Sequence, residues 1–261
     1  MNFHGTAVRQ EALTLLRGGA RNADVARKLD VPPGTVSYWL HMDRTKRGEC
    51  PGKQTPGCPR CDGTLDRAAY AYLLGLYLGD GHIVQNRAMK VPSLSVSCTD
   101  TWPGLLDECT RAMRSVLPGN SVSKVRRKGC QEVKVYSRHL WCLFPQHGPG
   151  RKHERRILLE GWQQEIVDEH RWEFVRGLIH SDGCRITNWA TRVVAGEKRR
   201  YEYPRYFFTN ASEDIRRLFT DTLDALGVEW TGCARNGNPY NVSVARRASV
   251  GLMDAHVGPK Y

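Results

Sequence analysis

Apolar positions follow one pattern along residues 68–83 and the same pattern again along residues 172–186. Each stretch predicts a hydrophobic helix with a glycine midway, followed by an aspartate, a glycine and the start of a strand. Beyond each helix, alternating apolar and polar positions predict a hairpin, a second helix, a second hairpin and a further helix. Because one order of elements occurs twice, the pattern predicts an α+β fold made of two related half-domains.

The two hydrophobic helices end in a shared motif, Gly-Leu-x-x-x-Asp-Gly, at residues 75–81 and 177–183. Gly75 and Gly177 have no Cβ, so they would allow the two helices to approach backbone to backbone. The helix ends would then bring Asp80 and Asp182 together. Because two like charges so close repel each other, we expect divalent cations to neutralise them.

These motifs resemble the LAGLIDADG homing endonuclease family in its two-motif, single-chain form, over roughly residues 65–261. The resemblance implies two pseudo-symmetric αββαββα half-domains, at residues 68–150 and 151–261, whose sheets form a β-saddle over the DNA major groove. It also implies that Mg²⁺ is held by Asp80 and Asp182 and by the backbone carbonyls of Gly79 and Ser181.

The resemblance further implies basic residues at the DNA and near the scissile phosphate. For the phosphate, alignment of the two halves indicates Arg138, with His139 beside it, and Arg246 or Arg247, of which we select Arg138 and Arg247 as catalytic. Contact with the DNA backbone alone is an equally good interpretation of these residues. The candidate DNA contacts of the two halves are Arg87, Lys90, Arg126, Arg127, Lys134, Arg185, Arg192, Arg199 and Arg205.

Residues 1–42 predict three short helices, the last two joined by a tight Pro-Pro-Gly turn at residues 32–34. This order is typical of a helix-turn-helix domain, in which Thr35, Ser37 and Tyr38 of the third helix would face base edges. A small helical bundle that contacts proteins is the alternative. Residues 43–67 are rich in Gly, Pro and Cys, so we interpret them as a linker or a small metal-bound knuckle.

The chain has nine cysteines, and three of them have spacing typical of metal ligands. Cys50, Cys58 and Cys61 lie among Pro and Gly residues and predict either a structural Zn²⁺ knuckle or a plain reduced loop. His41 or Asp62 could supply a fourth ligand. The other six cysteines fall in helix-like or strand-like segments and are interpreted as ordinary small residues, namely Cys98, Cys109, Cys130, Cys142, Cys184 and Cys233.

The amino-acid composition indicates which class of partner the protein binds. A formal net charge of +12 favours a polyanion, because each phosphate neutralised by Lys or Arg releases counterions. No apolar run approaches the length of a membrane span, and the N-terminal residues lack the pattern of a secretory signal. We therefore expect a cytoplasmic protein that binds double-stranded DNA, not a membrane, as a monomer that is itself a pseudo-dimer.

The leading hypothesis is a free-standing, site-specific endonuclease that hydrolyses phosphodiester bonds in both DNA strands with Mg²⁺. The alternative is a transcriptional regulator with a LAGLIDADG core and little or no cleavage activity. In regulators of that type the acidic pair is lost and the helix-turn-helix follows the core, whereas here Asp80 and Asp182 are present and the helical region comes first. An RNA-splicing maturase with the same fold is a third hypothesis.

Overall fold

The computed structural model describes residues 5–49, 56–85, 91–235 and 237–261. The chain divides into two compact units, Met1–Thr55 and Pro56–Tyr261. The first helical region extends further than the sequence predicts, because its third helix continues to Lys46 instead of ending near residue 42.

The N-terminal unit contains three helices, α1 (Thr6–Arg17), α2 (Asn22–Lys28) and α3 (Pro33–Lys46). Asn22 is the first residue of α2, and its side-chain amide donates to the Ser37 hydroxyl at 3.0 Å. The small core of this unit comprises Ala12, Leu16, Val25, Ala26, Val31, Val36 and Trp39.

The first half-domain has the predicted αββαββα order. A sheet of four antiparallel strands has the order β1-β2-β4-β3. The Asp66 carboxylate caps the first helix by accepting from the backbone N–H of Ala69 at 3.0 Å. The elements are α4 (Arg67–Gly79), β1 (Gly81–Val84), β2 (Ser93–Thr99), α5 (Pro103–Val116), β3 (Val122–Arg127), β4 (Cys130–Tyr136) and α6 (Leu140–Leu143).

The second half-domain repeats this order and so confirms the predicted duplication. A short 3-10 helix (Lys152–Glu154) and α7 (Gly161–Glu169) connect the halves, and the second sheet has the order β5-β6-β8-β7. The elements are α8 (Arg171–Asp182), β5 (Gly183–Val194), β6 (Glu197–Thr209), α9 (Glu213–Ala225), β7 (Thr231–Arg235), β8 (Asn238–Val244) and α10 (Arg247–His256).

Helices α4 and α8 pack directly against each other through their glycines. A Cβ at Gly177 would lie 2.2 Å from the carbonyl oxygen of Tyr72, and a Cβ at Gly75 would lie 2.6 Å from that of Phe174. Both distances are far below van der Waals contact, so any larger residue would force the helices apart. The close backbone approach predicted from the two motifs is confirmed, and one hydrophobic core spans both halves.

The strand register separates each sheet into two faces. Val133 and Val135 of β4 and Tyr206 and Phe208 of β6 are buried on the face that packs on the helices. Side chains of alternate residues point to the opposite face, which we call the open face. Cross-strand partners share a face, so the register assigns every paired residue of the sheets to one face or the other.

Within the described part of the chain, none of the helices combines the length and apolar character that crossing a bilayer requires.

Candidate active site

The two aspartates lie where a helix turns sharply into a strand. Asp80 is the C-cap of α4, and Asp182 is the last residue of α8. The chain then enters β1 or β5 through a glycine, and a Cβ at Gly81 would lie 2.5 Å from the Cα of Tyr77. The two helix ends converge, since a Cβ at Gly79 would lie 3.1 Å from Oδ2 of Asp182.

The carboxylates are held where ionisation costs free energy. Burial and the nearby charge of Asp80 raise the pKa of Asp182 to about 6, although Asn210 Nδ2 donates to Oδ2 of Asp182 at 2.6 Å and opposes the shift. Asp80 is exposed to solvent, yet surrounding protein atoms displace part of its hydration and raise the pKa of its carboxyl. An incoming cation would relieve this penalty.

Two lysines that sequence reasoning missed lie at the same helix ends. Lys152 donates from Nζ to the carbonyl of Gly79 at 2.7 Å, and Lys260 donates from Nζ to the carbonyl of Ser181 at 2.8 Å. Burial lowers the pKa of Lys152 to about 8, while Asp182 and Asp80 oppose that shift. The basic connection at residues 148–156 therefore contributes a side chain to the end of α4.

A sequence signal for these lysines does exist. Lys152 follows the stretch Gly148-Pro149-Gly150, and Lys260 follows Gly258-Pro259, in corresponding places after α6 and α10. Gly150 and Gly258 both have positive φ angles, of 79° and 71°, which glycine adopts without strain. The internal repeat therefore extends beyond the matching strands and helices to a lysine that follows α6 in one half and α10 in the other.

A cavity of about 400 Å³ opens at these helix ends. Its lining includes Asp182, Lys152, His82 of β1 and Thr209 of β6. His82 pairs with Ser95 and Thr209 pairs with Asn241, positions that the register assigns to the open faces of the two sheets. The acidic site is therefore continuous with the open faces of both half-domains.

The donor set fits a hard divalent cation such as Mg²⁺. Two carboxylates and two backbone carbonyls are oxygen ligands, which Mg²⁺ prefers together with water. The carbonyls of Gly79 and Ser181, predicted as metal ligands, accept the lysine hydrogen bonds described above. The lysine ammonium groups would then lie close to any cation held by the aspartates.

The arginines selected from the sequence as catalytic lie elsewhere. Arg138 is exposed in the turn before α6, and Arg247 is exposed at the first residue of α10. Neither lines the cavity beside Asp182. The structure brings the two lysines, and not these arginines, to the acidic pair.

The strand register shows on which face of its sheet each predicted DNA contact lies. Arg127, Lys134, Arg192, Arg199 and Arg205 fall on the open faces. Arg126 pairs with Gln131 and Arg185 pairs with Tyr206, so both fall on the helix side. Arg185 forms a bidentate ion pair with Asp254 of α10, at 2.7 and 2.9 Å. These two residues therefore do not share the surface that the saddle hypothesis assigns to DNA, and Arg87 and Lys90 lie outside the described residues.

On the N-terminal unit, the three predicted base-reading residues occupy the first two turns of α3. Tyr38 is 60% exposed, Ser37 is exposed and Thr35 is half-buried. The hydroxyl of Ser37 is engaged by Asn22, as noted above, while Val36 and Trp39 pack inward. One face of α3 is thus available to a ligand.

The cysteine cluster differs in membership from the predicted one. Ligand atoms of Cys58, Cys61 and Cys142 lie within 4.8 Å of one another. The interpretation of Cys142 as an ordinary residue is therefore corrected: α6 brings it to the Cys-x-x-Cys turn from a distant part of the sequence. Cys50 lies outside the described residues, and neither His41 nor Asp62 belongs to the cluster that the described residues form.

No protein-family model matches the sequence, and a comparison with curated proteins found no match. Among solved structures, a variant of the homing endonuclease I-DmoI in complex with its target DNA and Mg is 13% identical, with a TM-score of 0.50, covering 73% of this chain and 96% of that chain. I-WcaI bound to its DNA recognition sequence is 10% identical with a TM-score of 0.47, covering 74% of this chain and 81% of its own. The N-terminal LAGLIDADG domain of WhiA is 11% identical with a TM-score of 0.46, covering 75% of this chain and 83% of its own.

Identities this low bear on the fold alone. The likeness to I-DmoI agrees with the α+β fold of two four-stranded antiparallel sheets and their helices. This chain therefore has the LAGLIDADG fold, with both half-domains in one polypeptide.

Proposed function

We propose that this protein is a metal-dependent, site-specific endonuclease that cuts both strands of double-stranded DNA. The observation that carries the proposal is the convergence of the helix ends that carry Asp80 and Asp182 beside a cavity continuous with both open sheet faces. A duplex lying across those faces would present its phosphates to the acidic site. The protein would act as a monomer, since one chain already supplies both aspartates, and its place of action would be the cytoplasm.

The cation would be held by the carboxylates of Asp80 and Asp182. When bound, a divalent cation supplies positive charge for the attacking water and for the departing 3′ oxygen. The chain's own residues do the rest. Asn210 orients the Asp182 carboxylate, while Lys152 and Lys260 add positive charge where the phosphate gains negative charge in the transition state.

Binding would rest on the open faces and on the N-terminal unit. Arg127 and Lys134 in the first half and Arg192, Arg199 and Arg205 in the second supply phosphate contacts. The exposed face of α3, with Tyr38, would add contacts to flanking sequence. The solved structure of the I-DmoI variant, whose fold is similar, contains its target DNA.

The test compares cleavage with binding in one protein. Duplexes selected from a random library by binding in Ca²⁺ are transferred to Mg²⁺, and new double-strand ends are mapped. We expect Asp80→Asn and Asp182→Asn each to abolish these ends while DNA affinity stays within about tenfold, because removing repelling carboxylates does not weaken phosphate contacts. A variant that still cuts both strands would refute the assignment of the site.

One observation favours a second candidate, a DNA-binding regulator without cleavage. The two lysines donate to the helix-end carbonyls beside the aspartates, and this contact partly neutralises the acidic pair without a cation. A regulator of this kind would give a reproducible selected sequence that remains intact in Mg²⁺. The same selection therefore decides between the two functions.

A further inference from the structure

Three cysteine sulfurs that play no part in the proposed cleavage site meet beside the first half-domain. The Sγ atoms of Cys61 and Cys142 lie 3.8 Å apart, and Cys58 completes a group within 4.8 Å. Cys61 and Cys142 are 81 residues apart in the sequence, so the fold and not local spacing brings them together. Among the described residues this is the one group of three or more potential ligands with such geometry.

The separation of the sulfurs matches a tetrahedral ion. A Zn–S bond of about 2.3 Å in a tetrahedral site places neighbouring sulfurs about 3.8 Å apart. A disulfide would require sulfurs about 2.05 Å apart. The distance between Cys61 and Cys142 agrees with two thiolates that share one zinc ion.

The local chain is folded as a knuckle that presents two sulfurs together. The backbone N–H of Asp62 donates to the carbonyl of Cys58 at 2.9 Å, and that of Thr64 donates to the carbonyl of Pro59 at 2.9 Å. Gly63 then reverses the chain with a positive φ of 69°. Cys142 faces this turn from α6 and supplies the third sulfur.

The positively charged side chain of Arg60 lies beside the cluster and suits a site with several thiolates. Arg60 donates from Nη1 to Sγ of Cys142 at 3.4 Å, and its guanidinium lies 4.3 Å from the Trp162 ring centroid. Glu160 pairs with the same guanidinium at 3.6 Å and holds it in place. Such outer contacts orient metal ligands and offset the negative charge of a zinc ion bound by three thiolates.

We propose that Cys58, Cys61 and Cys142 form a structural zinc site that fixes residues 56–64 to α6 of the first half-domain. Sulfur ligands select zinc over Mg²⁺, so this site and the acidic site take different metals. The zinc site makes the start of the LAGLIDADG core rigid, because zinc binding adds folding free energy to a segment with few apolar contacts. It stands independently of the proposed cleavage.

The experiment measures metal content and coordination in the purified full chain. We expect one zinc per chain, retained during gel filtration, and a cobalt-substituted protein with thiolate-to-cobalt charge-transfer absorption of at least three sulfurs. Cys61→Ser and Cys142→Ser should each weaken zinc affinity at least about a hundredfold in competition with a chromogenic chelator. Cys130→Ser, in the β3–β4 hairpin, is the matched control and should bind zinc as the unaltered chain does.

Two results would overturn the proposal. One is a reduced, folded chain that takes up no zinc after reconstitution; the other is a Cys61–Cys142 disulfide found by mass spectrometry in place of the metal. Because Cys61 is exposed, its replacement should leave the fold intact by circular dichroism, so loss of zinc in that variant reports on the site itself. DNA cleavage is not a readout here, so failure of this proposal and failure of the cleavage proposal are separate outcomes.

Discussion

The two half-domains are similar in their central helices, α4 and α8, and differ more in their sheets. In α4, the residues from Tyr70 to Leu78 are buried without a break, whereas α8 carries buried polar residues. His180 occupies the motif position of Leu78, donates to or accepts from the Tyr72 hydroxyl at 2.9 Å, and has its pKa lowered to about 4 by burial. Both helices nevertheless end in an aspartate beside a lysine.

The sheets differ more than the helices. Strands β1 and β2 have four and seven residues, whereas β5 and β6 have 12 and 13 and form a long exposed hairpin. The first half instead has the cysteine cluster near its α6. The glycines and aspartates of α4 and α8 are repeated in both halves. The two sheets, each of which would contact one half of a DNA target, have diverged. We expect an asymmetric DNA site.

The largest effect is expected from adding a single methyl group to the contact between α4 and α8. Gly177→Ala should destabilise the protein by about 3 kcal/mol, because the new Cβ would lie 2.2 Å from the Tyr72 carbonyl oxygen and the backbones cannot separate without loss of packing. Gly75→Ala, with a nearest distance of 2.6 Å, should cost less. Urea unfolding measures both.

Gly251 provides the control for these variants. It lies in α10, and a Cβ added there would have no neighbouring atom within 4 Å. Gly251→Ala should therefore stabilise the protein by up to about 1 kcal/mol through helix propensity. Equal effects at Gly177 and Gly251 would contradict the close helix packing.

The second test asks whether the two lysines are equivalent. Lys152→Met and Lys260→Met should each slow cleavage about a hundredfold, because each removes a positive charge at one helix end. If each lysine promotes cleavage of only one DNA strand, each variant should accumulate nicked DNA. The strand that is cut in one variant should be the strand that stays intact in the other. Single-turnover assays on strand-labelled duplex measure this.

Arg138→Met and Arg247→Met are the matched controls, since both arginines are exposed and lie outside the cavity. Their cleavage rates should stay within about tenfold of the unaltered protein. A greater loss in either arginine variant than in the lysine variants would restore the arginines as the catalytic residues.

The smallest expected effect separates the two faces of a sheet. Arg127→Ala should weaken DNA binding about fivefold. The slope of the logarithm of the binding constant against the logarithm of the salt concentration should become shallower by about 0.9, the change expected when one phosphate is no longer neutralised. Arg126→Ala removes the same charge from the helix side and should change neither quantity. Arg199→Ala and Arg200→Ala repeat the comparison in the second half. Equal effects within each pair would mean that the open faces do not bind DNA.

Much of the central architecture could be predicted because its signals are local. The apolar helices, their glycines and the aspartates at 80 and 182 occur in short contiguous motifs whose geometry follows from helix periodicity. The face of Arg126 could not be predicted, because a strand shifted by one residue reverses every side chain and only the pairing fixes the register.

The sequence by itself therefore determined the duplication, the α+β order and the acidic residue that ends each central helix. Only the tertiary structure brought Lys152 and Lys260 to those helix ends and Cys142 to the Cys-x-x-Cys turn. The physical reason is that periodicity specifies elements over a few turns, whereas contacts between residues about eighty positions apart arise when packed elements bring separate loops together.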